Sequence, residues 1–362
     1  MKKLLILFIL FAAAGEVYSL PRFAVRLGDK CSDCHVNPTG GMMRNLDGWY
    51  YGKNILSMIS PREQDIKLSP KLNDNVSFGF DYRMQYLYSA EKDKTDFQQM
   101  TGAVYGNVVL SENINVVAKY DFVQFQWEAY GIARILPNKS YIKVGTFQPS
   151  FGLRIDDHTA YTRGGDLGLL FATGIRQGNL YNPFYLETGI ETGLNITNNF
   201  NATFSLGKSS MNGIFSKDPT YTARIEYLPV IGKLGLMFGG SYAAAKTPQP
   251  TTLYGGFGGF GYERFSMLGE YDVIESYVNP GVNSNALMLE AAYELMVGLE
   301  AVVRYDRFDP NVDLSDDELA HIILGLELFP YSFVELRPQY RIMTETPSVD
   351  NDSFVIQFHF WY

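Results

Sequence analysis

From about residue 74 to the end, the chain alternates. Val76, Phe78, Phe80, Tyr82, Met84, Tyr86 and Tyr88 share one parity, and Ser77, Gly79, Asp81, Arg83 and Gln85 share the other. A period of two predicts strand, because successive side chains leave a strand on opposite faces. The pattern returns over 114–122 with Lys119 and Asp121 on the polar face, over 184–194 with Glu187 and Glu191, and over 234–242. It returns again over 285–295 with Glu290 and Glu294, and over 299–305 with Glu300 and Arg304. Over 334–342, Glu335, Arg337, Gln339 and Arg341 fall together. About sixteen such segments can be centred, near residues 82, 104, 119, 131, 143, 189, 204, 224, 238, 256, 268, 289, 303, 324, 337 and 356.

A soluble sandwich alternates too, with its apolar faces buried. Two features predict a membrane barrel instead. The segments are read at about ten residues or more, where soluble strands average about five or six. Their apolar faces carry aromatics near the segment ends, and their polar faces carry charge, as expected of interfacial girdles around a wet lumen. Tight links near 112–113, 137–138, 198–199, 231–232, 263–264, 297–298 and 330–331 alternate with longer polar connections. The longest connection, about 148–182, follows the fifth segment. Short turns at one end and long loops at the other predict an all-β fold: an antiparallel transmembrane barrel of about sixteen strands over 74–362. An even strand count puts both termini on one side, the periplasmic one. The last strand, with Phe354, Ile356, Phe358, Phe360 and Tyr362, ends on an aromatic, similar to bacterial outer-membrane barrels. As an open edge in water, so aromatic a strand would aggregate.

Composition sharpens this. Tyr and Phe number 25 each. Yet mean hydropathy is close to neutral, and no run of about 18 apolar residues marks a transmembrane helix. The net charge of −9 argues against a nucleic-acid partner. Lys2 and Lys3 precede an apolar stretch over 4–14 that is too short to span a membrane. Residues 1–19 are therefore expected to be a secretory signal peptide, and no lipid-anchor cysteine follows it.

Residues 20–73 do not alternate. They hold the chain's two cysteines, in Cys31-Ser32-Asp33-Cys34-His35. C-x-x-C-H is the pattern of covalent c-type haem attachment. Cys31 and Cys34 would form thioethers to the two vinyl groups, and His35 would be the proximal ligand of the haem iron. A redox dithiol wants a thioredoxin-like βαβ context, which is absent here. A structural zinc wants four ligands, and three candidates lie here. One haem c is therefore the expected cofactor. A segment of about 54 residues rarely builds a sufficient core unaided, so a plug or mouthpiece for the barrel is expected. Gly40-Gly41 beside Pro38 predicts a tight turn, and 46–59 a short helix carrying Trp49, Tyr50 and Tyr51.

The distal ligand stays open. Met42, Met43 and Met58 are local candidates, His158, His321 and His359 are remote ones, and a vacant position is a further alternative. His359 shares a face with Gln357, hence the lumen, near the termini. It is a remote candidate, or else a lumen histidine paired with a carboxylate. His321 also faces inward, near the other rim. Asp156, Asp157 and His158 in the long connection form a candidate external site for a divalent metal such as ferrous iron. Loop carboxylates that merely line a constriction are the other reading.

With Pro21, Phe23-Ala24, Gly28, Cys31 to His35 and Pro38, the architecture resembles the fused monohaem cytochrome–porins of iron-oxidising bacteria. The extension from Gly40 to Asn45 departs from that pattern and marks a divergent branch. The resemblance implies a bacterial outer-membrane protein that conducts electrons across that membrane, an electron carrier rather than an enzyme, with Fe(II) oxidation as one such role. It implies three partners: outer-membrane lipid, a periplasmic cytochrome or other electron carrier, and an external electron donor or acceptor. Two alternatives stand beside it. One is a solute porin whose haem is structural or regulatory. The other is a haem peroxidase using His158 as its acid–base residue.

Overall fold

The computed structural model describes residues 21–62, 67–89, 93–155, 157–165, 178–209, 218–246, 250–276, 279–348 and 351–362. The signal peptide expected over 1–19 and the candidate ligand Asp156 lie outside the described residues. The wall opens with β1 (Val76–Ser89), β2 (Lys94–Ser111), β3 (Ile114–Asp121), β4 (Gln126–Ala133), β5 (Tyr141–Phe147) and β6 (Glu187–Asn195). It continues with β7 (Phe200–Ser209), β8 (Thr220–Tyr227), β9 (Val230–Ile231), β10 (Leu234–Ala245), β11 (Thr251–Tyr262) and β12 (Phe265–Glu275). It ends with β13 (Asn283–Met296), β14 (Leu299–Asp309), β15 (Leu319–Tyr331), β16 (Val334–Met343) and β17 (Ser353–Trp361).

Each strand pairs antiparallel with its neighbours in sequence, and β1 pairs with β17 from Asp81↔Trp361 to Tyr88↔Phe354. The sheet therefore closes and has no edge. The two residues of β9 resume the line of β8 after Leu228 and Pro229, and both pair with β10. The result is a closed antiparallel barrel of sixteen strands. All sixteen expected centres fall inside these strands. Six of the sixteen are shorter than the expected ten residues: β6 and β17 have nine, β3, β4 and β8 have eight, and β5 has seven. One reason is local. The Asp121 carboxylate accepts the N–H groups of Val123 (3.0 Å) and Gln124 (2.9 Å), which turns the chain and ends β3 early.

The alternation becomes two surfaces. Outward, Trp127, Val144, Phe204, Phe238, Tyr271, Leu324 and Phe354 are exposed. Inward, Gln85, Lys143, Glu191, Asp306, Arg341 and Gln357 are buried. An apolar exterior around a polar interior inverts a soluble core and suits a lipid-facing wall. Among the described residues no helix is long and apolar enough to cross a membrane.

Residues 21–62 and the described part of the connection 148–186 lie against the inner wall. Residues 21–62 carry three short helices: α1 (Pro21–Leu27), α2 (Cys31–Cys34) and α3 (Leu46–Asn54). α3 matches the helix expected over 46–59, whereas α1 was not anticipated. These residues sit at the tight-turn end of the barrel. Met58 N–H donates to the Phe329 carbonyl at 2.8 Å, beside the β15–β16 turn. Trp49 packs on Phe333 and Tyr362, with ring centroids 5.3 and 5.8 Å away. The long connection 148–186 meets the lumen wall nearer the other end. Gly152 N–H reaches Ser241 Oγ (2.8 Å) and Leu153 N–H reaches Glu270 Oε2 (3.0 Å). Gly152 has φ +57°, and a Cβ there would lie 1.6 Å from Glu270 Oε1. Only glycine lets the backbone approach the wall so closely.

Candidate functional site

The Cys31–Cys34 turn is made by its flanks. The Lys30 N–H donates to Asp33 Oδ2 (3.0 Å), which closes the first turn of α2. The His35 N–H donates to the Cys31 carbonyl (3.0 Å), and His35 itself is extended, with φ −117° and ψ 148°. One helical turn thus sets the cysteines three apart on one face, and the histidine leaves the turn as a strand. His35 bridges to Arg44, and Val36 N–H donates to the Met43 carbonyl at 3.1 Å. The hairpin between them turns at Gly40 and Gly41, both with positive φ, as the glycine pair predicted. A Cβ on Gly40 would meet Cys31 Sγ at 3.3 Å, and one on Gly41 would meet the Arg154 guanidinium at 2.7 Å.

Asn45 ties the pieces together. Its Oδ1 caps α3 by accepting the Gly48 N–H (2.9 Å), and its Nδ2 donates to the Asp33 carbonyl (2.9 Å) and the Ser32 carbonyl (3.3 Å). Its own N–H donates to the Cys34 carbonyl (2.9 Å). The hairpin is fixed to the wall by Lys143, whose Nζ reaches Asn37 Oδ1 (3.3 Å), and by Arg134, whose Nη2 reaches the Val36 carbonyl (3.0 Å).

α1 supplies two long-range anchors. Arg22 faces Glu290 (3.3 Å), Glu300 (3.4 Å) and Glu327. Arg26 faces Glu300 (2.7 Å) and Glu294 (3.9 Å). Arg22 and Arg26 are four residues apart, hence on one face of the helix. Their partners are lumen-facing carboxylates of β13, β14 and β15. Burial opposes the charge on Arg22, but Glu327 and then Glu290 and Glu300 outweigh it and keep the guanidinium protonated.

Between residues 21–62 and 148–186 lies a cavity with about 1670 Å³ of empty space, part of it open to solvent. His35, Met42 and Arg44 line it from the N-terminal side; Arg154, Asp157, His158 and Phe184 line it from the long connection; His359 lines it from β17. A second pocket of about 940 Å³ meets His35 from the side of Asn73, Asn75 and Arg134, at the tight-turn end, and Met43 lines that one.

The expected site residues distribute as follows. Cys31, Cys34 and His35 stand together; Cys34 is fully buried, and the two thiols are not joined in a disulfide. Met42 and Met43 ride the hairpin strand opposite His35. Met58 is half exposed at the rim beside Gly298. His359 is in the lumen near the termini, as its parity predicts, and is held by carboxylates: Nδ1 to Glu335 (2.7 Å) and Nε2 to Asp81 (3.1 Å). His321 is paired with Asp306 at 2.8 Å. Asp157 is committed to Arg304 (2.9 Å) and Thr159 (2.7 Å). Burial alone raises its carboxyl, but Arg304 and then Arg341 hold it well below the usual carboxylate range. No cluster of three His, Cys, Asp or Glu groups able to hold a metal ion occurs among the described residues.

The donor set can be tested against the chemistries that share its residues. A redox or metal-binding dithiol wants a depressed thiol pKa. Here burial, and then Glu226, push the Cys31 thiol up to about 12, and burial raises Cys34 further. Covalent haem attachment asks instead for the C-x-x-C-H spacing, which this turn carries, with His35 lining a cavity. Arg154, not singled out by its sequence context, adds a second sign. Its Nε and Nη1 are buried and have no hydrogen-bond partner among the described residues. A buried guanidinium left so calls for an anionic group, and a haem brings two carboxylates.

No protein-family model and no curated protein matches this chain. Solved structures do match in fold. Pseudomonas putida OprB, in its high-pH structure, aligns with a TM-score of 0.63 at 11% identity, over 86% of this chain and 100% of that one. The outer membrane channel DcaP of Acinetobacter baumannii aligns at 0.55 with 12% identity, over 82% and 100%. An anion-selective porin from Comamonas acidovorans aligns at 0.53 with 12% identity, over 80% and 99%. At such identities the likeness speaks to fold alone: the wall of this chain is a porin-type β-barrel.

Proposed function

We propose that this protein is an outer-membrane barrel that carries one covalent c-type haem and passes electrons, rather than solutes, between the periplasm and the cell exterior. The observation that carries this reading is a C-x-x-C-H turn whose histidine lines a cavity between residues 21–62 and the described part of the connection 148–186. When bound, the haem supplies a one-electron ferric–ferrous couple. Cys31 and Cys34 would hold it and His35 would ligate its iron.

The chain's own residues supply the setting. Residues 21–62 act as the plug. Arg22 and Arg26 seat it on the acidic wall of β13–β15, and Trp49 seals it against Phe333 and Tyr362. The connection 148–186 caps the cavity from the other side through Arg163–Glu270 (2.7 Å) and Asp157–Arg304. Both narrow the access of water to the cavity that His35 lines, which stays partly open to solvent. The tight-turn end, with the termini, is the periplasmic one, so the outer pocket at His35 would face a periplasmic carrier. The apolar band of such a barrel is about 25 Å tall, and a cofactor inside it shortens the distance electrons must cross.

The test is electron entry into proteoliposomes that enclose an acceptor dye. The native protein should reduce the dye from an external donor, and His35→Ala should not. Equal transfer by His35→Ala would overturn the reading. A second reading, a solute porin whose haem is structural or regulatory, is favoured by the fold's likeness to channels and porins. Planar-bilayer conductance separates the two: the electron conduit should conduct ions poorly, the porin well.

A further inference from the structure

We propose that His158, presented by the inward connection, is the axial ligand trans to His35. The inference rests on the haem reading above and deepens it. A trans ligand must reach the iron from the opposite face of the macrocycle, so the ring has to pass between the two donors. Residues in bridged strands have Cα atoms about 5 Å apart. His35 is bridged to Arg44, and Met43 is hydrogen-bonded to Val36. Met42 is the next residue along. No macrocycle passes between such neighbours, so both methionines belong to the proximal wall.

The opposite wall of the same cavity belongs to the connection 148–186, and its one histidine among the described residues is His158. The position of His158 is fixed from both sides. Arg304 Nη1 holds Asp157 Oδ2 at 2.9 Å, and Arg304 Nη2 holds Thr159 Oγ1 at 3.2 Å. The two residues flanking His158 are thus pinned to one guanidinium of β14. The imidazole ring packs near Phe184, with centroids 5.6 Å apart, and is 7% exposed. The remaining candidates are placed otherwise. His359 has each ring nitrogen on a carboxylate, and ligation would strip one of them. Met58 does not line the cavity. A braced imidazole lining the same cavity as His35 would give bis-histidine coordination, which lowers the reduction potential relative to a histidine–methionine pair.

The experiment is an optical, near-infrared magnetic circular dichroism and electron paramagnetic resonance series on the purified full-length holoprotein. The native protein should be low-spin with a bis-imidazole signature. His158→Ala should be high-spin and should regain the low-spin spectrum on adding imidazole. His158→Met, which keeps a ligand if the alanine variant misfolds, should show the methionine–iron charge-transfer band. His359→Gln should leave the native spectrum unchanged. A methionine band in the native protein, or a low-spin spectrum that survives His158→Ala without added imidazole, would overturn the assignment while leaving the covalent haem standing. A native protein with no covalent haem would overturn both.

Discussion

The barrel wall and the segments inside it are held by different means. In the wall, each strand is stabilised by the strand beside it in sequence, through main-chain ladders that any residue except proline can join. β1 with β2 and β13 with β14 are typical, and only the β1–β17 seam joins distant parts of the chain. Inside, the described residues of 21–62 and 148–186 make almost no ladder. They are fixed by side chains to partners a hundred or more residues away, such as Arg22 to Glu327, Arg163 to Glu270 and Arg304 to Asp157. The wall therefore tolerates substitution at single positions, whereas the interior depends on a few buried charges. Breaking such a pair on one side leaves the other charge buried and unmatched, which costs far more than the pair contributes.

The largest effect is expected at α1. Arg22→Ala removes the cation that Glu290, Glu300 and Glu327 share, with Arg26 still on Glu300 and Arg337 on Glu327, and should loosen residues 21–62 by about 3 kcal/mol. Proteolysis of residues 21–62 should accelerate and bilayer conductance should rise, while the barrel still migrates as a folded species on an unheated gel. If the barrel itself unfolds, wall and interior are not energetically separate.

Arg304→Ala should act next, at up to about 3 kcal/mol, on the connection 148–186. It frees Asp157 and Thr159 together. Hydrogen exchange in that connection should quicken while exchange in residues 21–62 stays as it was. Equal change in both would mean that the two closures are one unit.

Asn45→Ala removes an N-cap and the tie to α2, for about 1–2 kcal/mol. Its readout is faster proteolysis of the Cys31–Asn54 region with no gain in conductance.

The smallest effect concerns pH. Burial, and then Asp33, raise the Asp29 carboxyl to about 6, from an ordinary value of about 4. A raised carboxyl favours the protonated form in the folded state. The stability that Asp29 contributes to residues 21–62 should therefore be highest below about pH 4, fall through the window up to about 6, and stay level above it. Asp29 is half exposed, so the change is discounted to roughly 1 kcal/mol or less. Asp29→Asn should flatten the profile, read as protease sensitivity between pH 4 and 7. A profile that stays sloped would assign the dependence to another group.

The same division explains what the sequence reveals. The strands were legible because lipid outside and water inside impose a parity on every residue, and His359 and Gln357 could be placed in the lumen by parity alone. Trp49 on a short helix and the Gly40-Gly41 turn were legible from local chemistry. The helix α1 was not, because seven residues carry too little periodicity. Its role was not, because Arg22 meets acids on strands some 270 or more residues ahead. Nor was the inward course of 148–186, whose Gly152 resembles any loop glycine until Glu270 stands beside it. Arg154 carried no signal at all, since the burial of its Nε and Nη1 arises only in the folded chain.

The most direct test of the central claim is the intact mass of the mature protein, purified from outer membranes of a host that matures c-type cytochromes, together with its oxidised and reduced spectra. The account predicts a polypeptide heavier by one haem, reversibly reducible, and an unmodified mass when Cys31 and Cys34 are both replaced by alanine. An unmodified native protein that conducts ions as an open channel would contradict it.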